Sequence, residues 1–466
     1  MLNQLMSPRN NFQWTIFHVL LGIVSTLTPF AIIGWFYLVF LTTFLAAIGG
    51  LQRGRYVVFI ALLCYLVSFE MLDRMAKTAP FLPVELGKYM VIAFMLLGLL
   101  VRGVRSSRGI WMAVLISPAL FYDLSGRVIF FDIINNYFGA LGLALGIACL
   151  YRVNLDKGSL DNILRLVWLG SLGALAHSYI ETPQFEEIEF GFGANFYATG
   201  GASSNQVATI MGLGMFLTFY AILQRLKYSG YFLLDIGIML LFAFQGLLTF
   251  SRGGMLIALL CMLILYFFFN RERVTKNRGR TVVVILALAA GIYGIFQVTN
   301  QISGGKLLLR YQGETQGTYG GYKEKTLDVA TSGRLGILQK DIALWLEHPL
   351  LGVGVGASRY LRGKVSAHIE LTRLLSEHGI PGLVYFLLQL AVFYRAYRFQ
   401  RDPLMRGVVL SLFAMALLTS FHSAMRTYVS PLFMALANLN IYRQLPQVKV
   451  RAPARPVSLN VQDTGG

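Results

Sequence analysis

Apolar blocks about as long as a bilayer is thick recur along this chain, and they leave few folds open to it. Continuous runs such as 129–150 and 281–298 lack the alternation of a barrel strand, so they read as helices that satisfy their own backbone polar groups. Candidate spans fall at 15–33, 35–49, 56–70, 88–102, 110–120, 129–150, 162–179, 205–224, 231–249, 254–269, 281–298, 381–397, 407–421 and 427–442. The reading is an all-α, polytopic membrane helix bundle of 12–14 transmembrane helices. The lower number allows for the thin Thr28-Pro29 and Gly34 break between the first two blocks and for the shortness of 110–120. Composition agrees, with 56% hydrophobic and 13% charged residues in 466. Nothing near the N-terminus resembles a cleavage site, so the first span is expected to remain as an anchor.

Cationic flanks resist translocation, and short loops follow that rule best. Alternating the spans from a cytoplasmic N-terminus puts 23 Lys and Arg on one side, including the 271–280 cluster, and six in the short loops of the other. Arg252 and Arg426 are among the six, and Glu181, Glu186, Glu187 and Glu189 fall on that side too. The expected topology has cytoplasmic termini. The net charge of +18 is then largely an orientation signal, and no nucleic-acid partner is needed to explain it. Arg165, one turn into its span, reads as a snorkelling residue. Organisation follows: spans and short loops over 1–298, one large periplasmic loop over 299–380, further spans over 381–445 and a disordered cytoplasmic tail over 446–466.

The 299–380 loop carries ten Lys or Arg, which either solvate an exposed domain or attract a phosphorylated lipid. It holds no cysteine, since Cys64, Cys149 and Cys261 all lie in predicted spans, and no spacing in it suggests a metal site. Ser332 is expected to cap an amphipathic helix bearing Leu335, Leu338, Ile342 and Trp345 on one face and Arg334 in its first turn. Gly352, Gly354 and Gly356 can form a nest of backbone N–H groups for a phosphate, or can mark close backbone packing. Ser366 is expected to cap a second helix running to His378. On it His368 shares a face with Leu371 and Leu375, while Glu370, Arg373 and Glu377 share another. A histidine in a first helical turn is held neutral by the dipole and can act as a general base; the alternative is a histidine satisfied by a protein partner. Arg252, in the tight turn Thr249-Phe250-Ser251-Arg252-Gly253-Gly254, can grip a lipid phosphate with its planar fork or simply snorkel.

Gly333-Arg334, Trp345, Pro349, Gly352, Gly354, Gly356, His368, Leu371, Leu375, Glu377, Gly379 and Gly382, with Ser251-Arg252-Gly253 before them, resemble the signature of the O-antigen ligase and polymerase superfamily. The likeness runs over roughly 205–440, and it departs from many members in having Ile369 rather than Asn after the histidine. The resemblance implies a metal-independent, inverting glycosyltransferase of the GT-C kind, without a cofactor, acting on the periplasmic face of the bacterial inner membrane. Its donor would be a glycan on undecaprenyl pyrophosphate. Its acceptor would be lipid A core, which makes it a ligase, or a growing glycan, which makes it a polymerase. Arg252, Arg334 and His368 take the catalytic roles, and Gly352, Gly354, Gly356, Glu370, Arg373 and Glu377 are expected to bind substrate. A polysaccharide transporter would need ionisable groups near the midplane and repeated halves, and neither Asp132 nor Asp235 is so placed. A non-catalytic scaffold would tolerate loss of His368 and Arg252.

Overall fold

The computed structural model describes residues 2–122, 128–272 and 278–443. Positions 273–277 of the cationic cluster and the expected tail from Pro446 lie outside the described residues. The α-helices of seven residues or more are α1 (Asn11–Leu27), α2 (Phe30–Gln52), α3 (Val57–Ser68), α4 (Glu70–Ala76), α5 (Leu86–Arg102), α6 (Ser107–Ile116), α7 (Phe130–Leu150), α8 (Lys157–Ile180) and α9 (Ser204–Gln224). They continue through α10 (Phe232–Leu248), α11 (Arg252–Glu272), α12 (Arg278–Ile302), α13 (Arg334–Glu347), α14 (Glu370–His378), α15 (Ile380–Phe399), α16 (Pro403–Ser423) and α17 (Val429–Leu436). Among the described residues eight helices are long and apolar enough to cross a membrane, and the fold is an all-α polytopic bundle.

Small residues set a close crossing that positions the site. A Cβ on Gly212 of α9 would strike the Gly254 carbonyl of α11, and one on Gly254 would strike the Ala208 backbone, so these helices meet backbone to backbone. Helix α11 also packs on α16, which places the turn before α11 beside the end of α16.

The block at 427–442 departs from expectation. Only Val429–Leu436 is helical, about 12 Å at 1.5 Å per residue, too short to span alone. Before it, residues 424–428 run as irregular backbone through the protein interior, and after it Asn440–Tyr442 pairs in parallel with Asn154–Asp156. Irregular backbone is tolerated in a bundle where protein groups satisfy it. Glu70 accepts from the Tyr428 amide at 2.8 Å, Glu370 from the Met425 amide at 3.3 Å, and the His368 carbonyl from the Ala424 amide at 2.9 Å. Helix α3 is short as well, at 12 residues, and bends into α4.

The loops sort into two groups. At one end the Asn195 amide donates to Thr249 O at 3.0 Å, Arg252 reaches Ala330, and Arg359 holds Asp132. At the other the Arg152 amide donates to Asn438 O at 2.8 Å and Asn11 reaches the Lys227 carbonyl. Alternating spans require this grouping. Arg165 sits at the second end but does not snorkel: it is buried, donating to the carbonyls of Leu5, Asn11 and Tyr228. It ties the N-terminal segment to the bundle.

Candidate active site

Ser251, Arg252 and Gly253 occupy the turn into α11. Phe250 precedes them at φ 55°, a left-handed conformation that a bulky residue adopts only where the surroundings impose it. Ser332, just before α13, has φ 60°, and Ala424, bonded to the His368 carbonyl, has φ 52°. Three such residues therefore flank the candidate site. Gly253 has its own reason: a Cβ there would overlap the His422 ring.

That close approach lets His422 join the site. Arg334 Nη1 lies 2.8 Å from His422 Nδ1, and since a guanidinium can only donate, Nδ1 accepts. The ring proton then sits on Nε2, facing Ser251 Oγ at 3.3 Å, and Ser251 donates on to Asn205 Oδ1 at 2.8 Å. This chain of bonds fixes the direction of Arg334. Arg252 donates to Ala330 O at 2.7 Å and Ser332 Oγ at 3.4 Å. Arg252, Arg334 and Arg310 line one cavity of about 300 Å³, with Ser251, Tyr311 and Ser332 also in its wall and no carboxylate among its described lining residues. Burial lowers Arg334, and the Arg252 charge lowers it further; Arg310 is pushed down to about 10 by burial and then by Arg252 and Arg334. All stay protonated at neutral pH. Three cations facing one another without a counter-charge make a cavity suited to a multiply charged anion.

Helix α13 starts later than expected, with Gly333 rather than Ser332 at its N-cap and no side-chain cap bond there. Asp328 Oδ1 instead accepts from the Gly336 amide at 2.7 Å. Helix α14 likewise begins at Glu370, so Ser366 is not its cap and His368 is not in its first turn. His368 lies on the extended strap before the helix, which removes the dipole as the cause of its neutrality. Burial is the larger cause, followed by Arg426, Arg334 and Arg362, and together they lower His368 to about 4. The ring is a neutral base through another route. Its buried Nδ1 finds no hydrogen-bond partner among the described residues.

The remaining expected substrate-binding residues are engaged within the protein. The amides of Gly352, Val353 and Gly354 donate to the carbonyls of His348, Ser376 and Glu377 at 3.0, 2.9 and 3.1 Å, so the groups a phosphate nest requires are occupied. Gly352 has φ 71° and a Cβ on it would overlap the Glu377 backbone, which accounts for glycine there by packing. Glu370, Arg373 and Glu377 share a face as expected, but they spend it on one another. Arg373 Nη2 pairs with Glu370, its Nη1 lies 2.9 Å from Glu377, and Ser358 adds a bond to Glu377 at 2.7 Å. All three are buried. Arg373→Ala would strand two buried carboxylates, so a loss of about 3–5 kcal/mol is expected and would read as a large drop in thermal-unfolding temperature. Unchanged unfolding would show the triad to be solvated.

Arg310, His422 and Asn205 were not among the sequence candidates. His422 stands in the polar run Thr419-Ser420-Phe421-His422-Ser423 at the end of an apolar helix, and that run is the sequence signal available for it. Among the described residues no three His, Cys, Asp or Glu gather as a possible metal site.

Residues 237–387 match the model of the family described as Wzy_C, O-antigen ligase, a span that takes in Arg252, Arg310, Arg334 and His368. The match bears out the resemblance read in the sequence. The chain matches no curated protein and no solved structure.

Proposed function

With an O-antigen ligase domain at residues 237–387 as the premise, we propose that this membrane protein is a periplasmic-face glycosyltransferase that joins O-antigen from undecaprenyl pyrophosphate to a hydroxyl of lipid A core. The observation that carries the reading is the carboxylate-free cavity of Arg252, Arg310 and Arg334, whose Arg334 is bonded to His422, two residues before the Ala424 amide that donates to the His368 carbonyl. The arginines would hold the pyrophosphate. In the reaction the acceptor oxygen bonds to the anomeric carbon as its proton passes to His368, and the bond from that carbon to the pyrophosphate oxygen breaks. Negative charge growing on the leaving oxygen is met by guanidinium groups already fixed in place, the role a metal ion plays in other transferases. Displacement from the opposite face inverts the anomeric centre. The cation asymmetry of the loops supports a periplasmic site, because Arg252 and Arg426 lie at the bundle end with few short-loop cations.

A deletion strain tests this reading. Glycan chains should still be made at full length but should not reach lipid A core. Loss of chain lengthening would replace ligation by polymerisation.

The histidine also sets a pH dependence. With its imidazolium disfavoured down to about pH 4, the donor-free enzyme keeps an active base throughout the neutral range. Bound pyrophosphate offsets the arginine charges, which lessens the penalty on imidazolium and raises the pKa. The acid limb of kcat should therefore lie above that of kcat/KM, and kcat/KM should be flat from pH 5.5 to 8. A kcat/KM limb centred near the ordinary value of about 6.5 would contradict the geometry.

A further inference from the structure

Ser366, Ala367, Ala424 and Arg426 belong to the wall of another cavity, of about 220 Å³, whereas Ser251, Arg252 and Arg334 belong to the arginine cavity. His368, through its carbonyl bond to the Ala424 amide, and His422, through its bonds to Ser251 and Arg334, connect the two walls.

The two cavities differ in charge. In the second, Arg359 Nη1 lies 2.9 Å from both oxygens of Asp132, Lys88 lies 2.8 Å from Glu85, and Arg373 lies 2.9 Å from Glu377. Arg362 is held 2.9 Å from Asp341 behind the wall. Of the lining cations only Arg426 has no carboxylate in these pairs, and it donates to the Ala367 carbonyl; cations so engaged offer less to an incoming phosphate than the open arginines of the first cavity. The lining nonetheless has unspent hydrogen-bonding capacity. Arg362, with 2% of its side chain exposed, has a buried Nη1 without a partner among the described residues, and Asn135 has a buried Oδ1 in the same condition. One is a donor and the other an acceptor. Buried polar groups left unmatched are costly, and a ligand group that both donates and accepts would satisfy each of them. Hydroxyl groups do this. The volume is below the roughly 300–1,000 Å³ of pockets for larger ligands, which suits one sugar ring rather than a chain.

We propose that this second cavity binds a neutral monosaccharide unit of the acceptor, with Arg362 Nη1 and Asn135 Oδ1 engaging its hydroxyls. The assignment of that sugar as acceptor rests on the transferase reading; the binding of a neutral sugar does not. Donor pyrophosphate and acceptor sugar would then approach the His368 and His422 wall from different cavities.

Saturation-transfer NMR on the full-length protein in lipid nanodiscs, with glucose, galactose and inorganic phosphate as separate probes, tests the proposal. A hexose signal is expected in the parental protein. Asn135→Leu should weaken it about ten-fold, the loss of one well-made buried hydrogen bond, and Ser366→Trp should remove it by filling the cavity. Arg252→Lys should leave it unchanged. The proposal is overturned by the absence of a hexose signal, by a signal that survives both cavity variants, or by displacement of hexose by phosphate. Hexose binding in a protein that transfers no glycan would leave the cavity standing and remove the transferase reading; transfer by a protein that binds no hexose would do the reverse.

Discussion

His368→Ala is expected to lower glycan transfer by about 100- to 10,000-fold, the usual cost of removing a general base, while the protein still folds and binds donor. The expectation rests on three features of the ring. It is kept neutral by burial and by Arg426, Arg334 and Arg362. Its Nδ1 is buried without a partner among the described residues, so no protein hydrogen bond competes with substrate there. Its backbone is pinned by the Ala424 amide at 2.9 Å, so truncation of the ring should leave the strap in place. His378→Ala makes the comparison: His378 is buried at the end of α14, and its loss should be mild for turnover. A purified His368→Ala enzyme that keeps most of its rate would move the base to another residue, with Glu370 and Glu377 the next candidates although both are tied to Arg373.

Arg252→Lys is expected to behave nearly as Arg252→Ala, with loss of about 100- to 1,000-fold in turnover, the scale on which a single preorganised charge-stabilising donor acts. An ammonium retains the charge but not the fork. In the donor-free protein that fork reaches Ala330 O and Ser332 Oγ, bonds a pyrophosphate oxygen can replace. Arg334 should be at least as sensitive, because its direction is set through His422, Ser251 and Asn205. His422→Ala therefore serves as a positioning control: it should raise the donor KM by loosening Arg334, and a lysine at 334 should not rescue it. Near-parental transfer by Arg252→Lys would make Arg252 a packing residue.

Apolar blocks carried the helical architecture into the sequence, because bilayer length is a local property that needs no partner. Each expected block holds a helix, and the loops meet in the two groups that alternation requires. The failures lie where tertiary contacts override local signals. Ser332 and Ser366 look like caps, yet Asp328 supplies the bond to the first turn of α13 and α14 starts at Glu370. The 427–442 block has the hydropathy of a span, but buried carboxylates stabilise its irregular first part, and Glu70 lies 358 residues from the Tyr428 amide that it accepts. The same reason hid His422 and Arg310. Nothing in their neighbourhoods reveals that Gly253 leaves space for one and that Arg252 faces the other. For His368 the expected helix dipole is replaced by burial and by arginines remote in sequence, because α14 starts only at Glu370.

The central claim is that a cavity of arginines holds pyrophosphate while an uncharged histidine receives the acceptor proton. The most direct measurement is release of undecaprenyl pyrophosphate by the purified protein in nanodiscs supplied with lipid-linked glycan and lipid A core, with EDTA present. Release should require the acceptor, match glycan attached one for one, persist in chelator and vanish in Arg252→Lys and His368→Ala. Acceptor-dependent release that is unaffected by both substitutions, or that stops when metal is chelated, would contradict it.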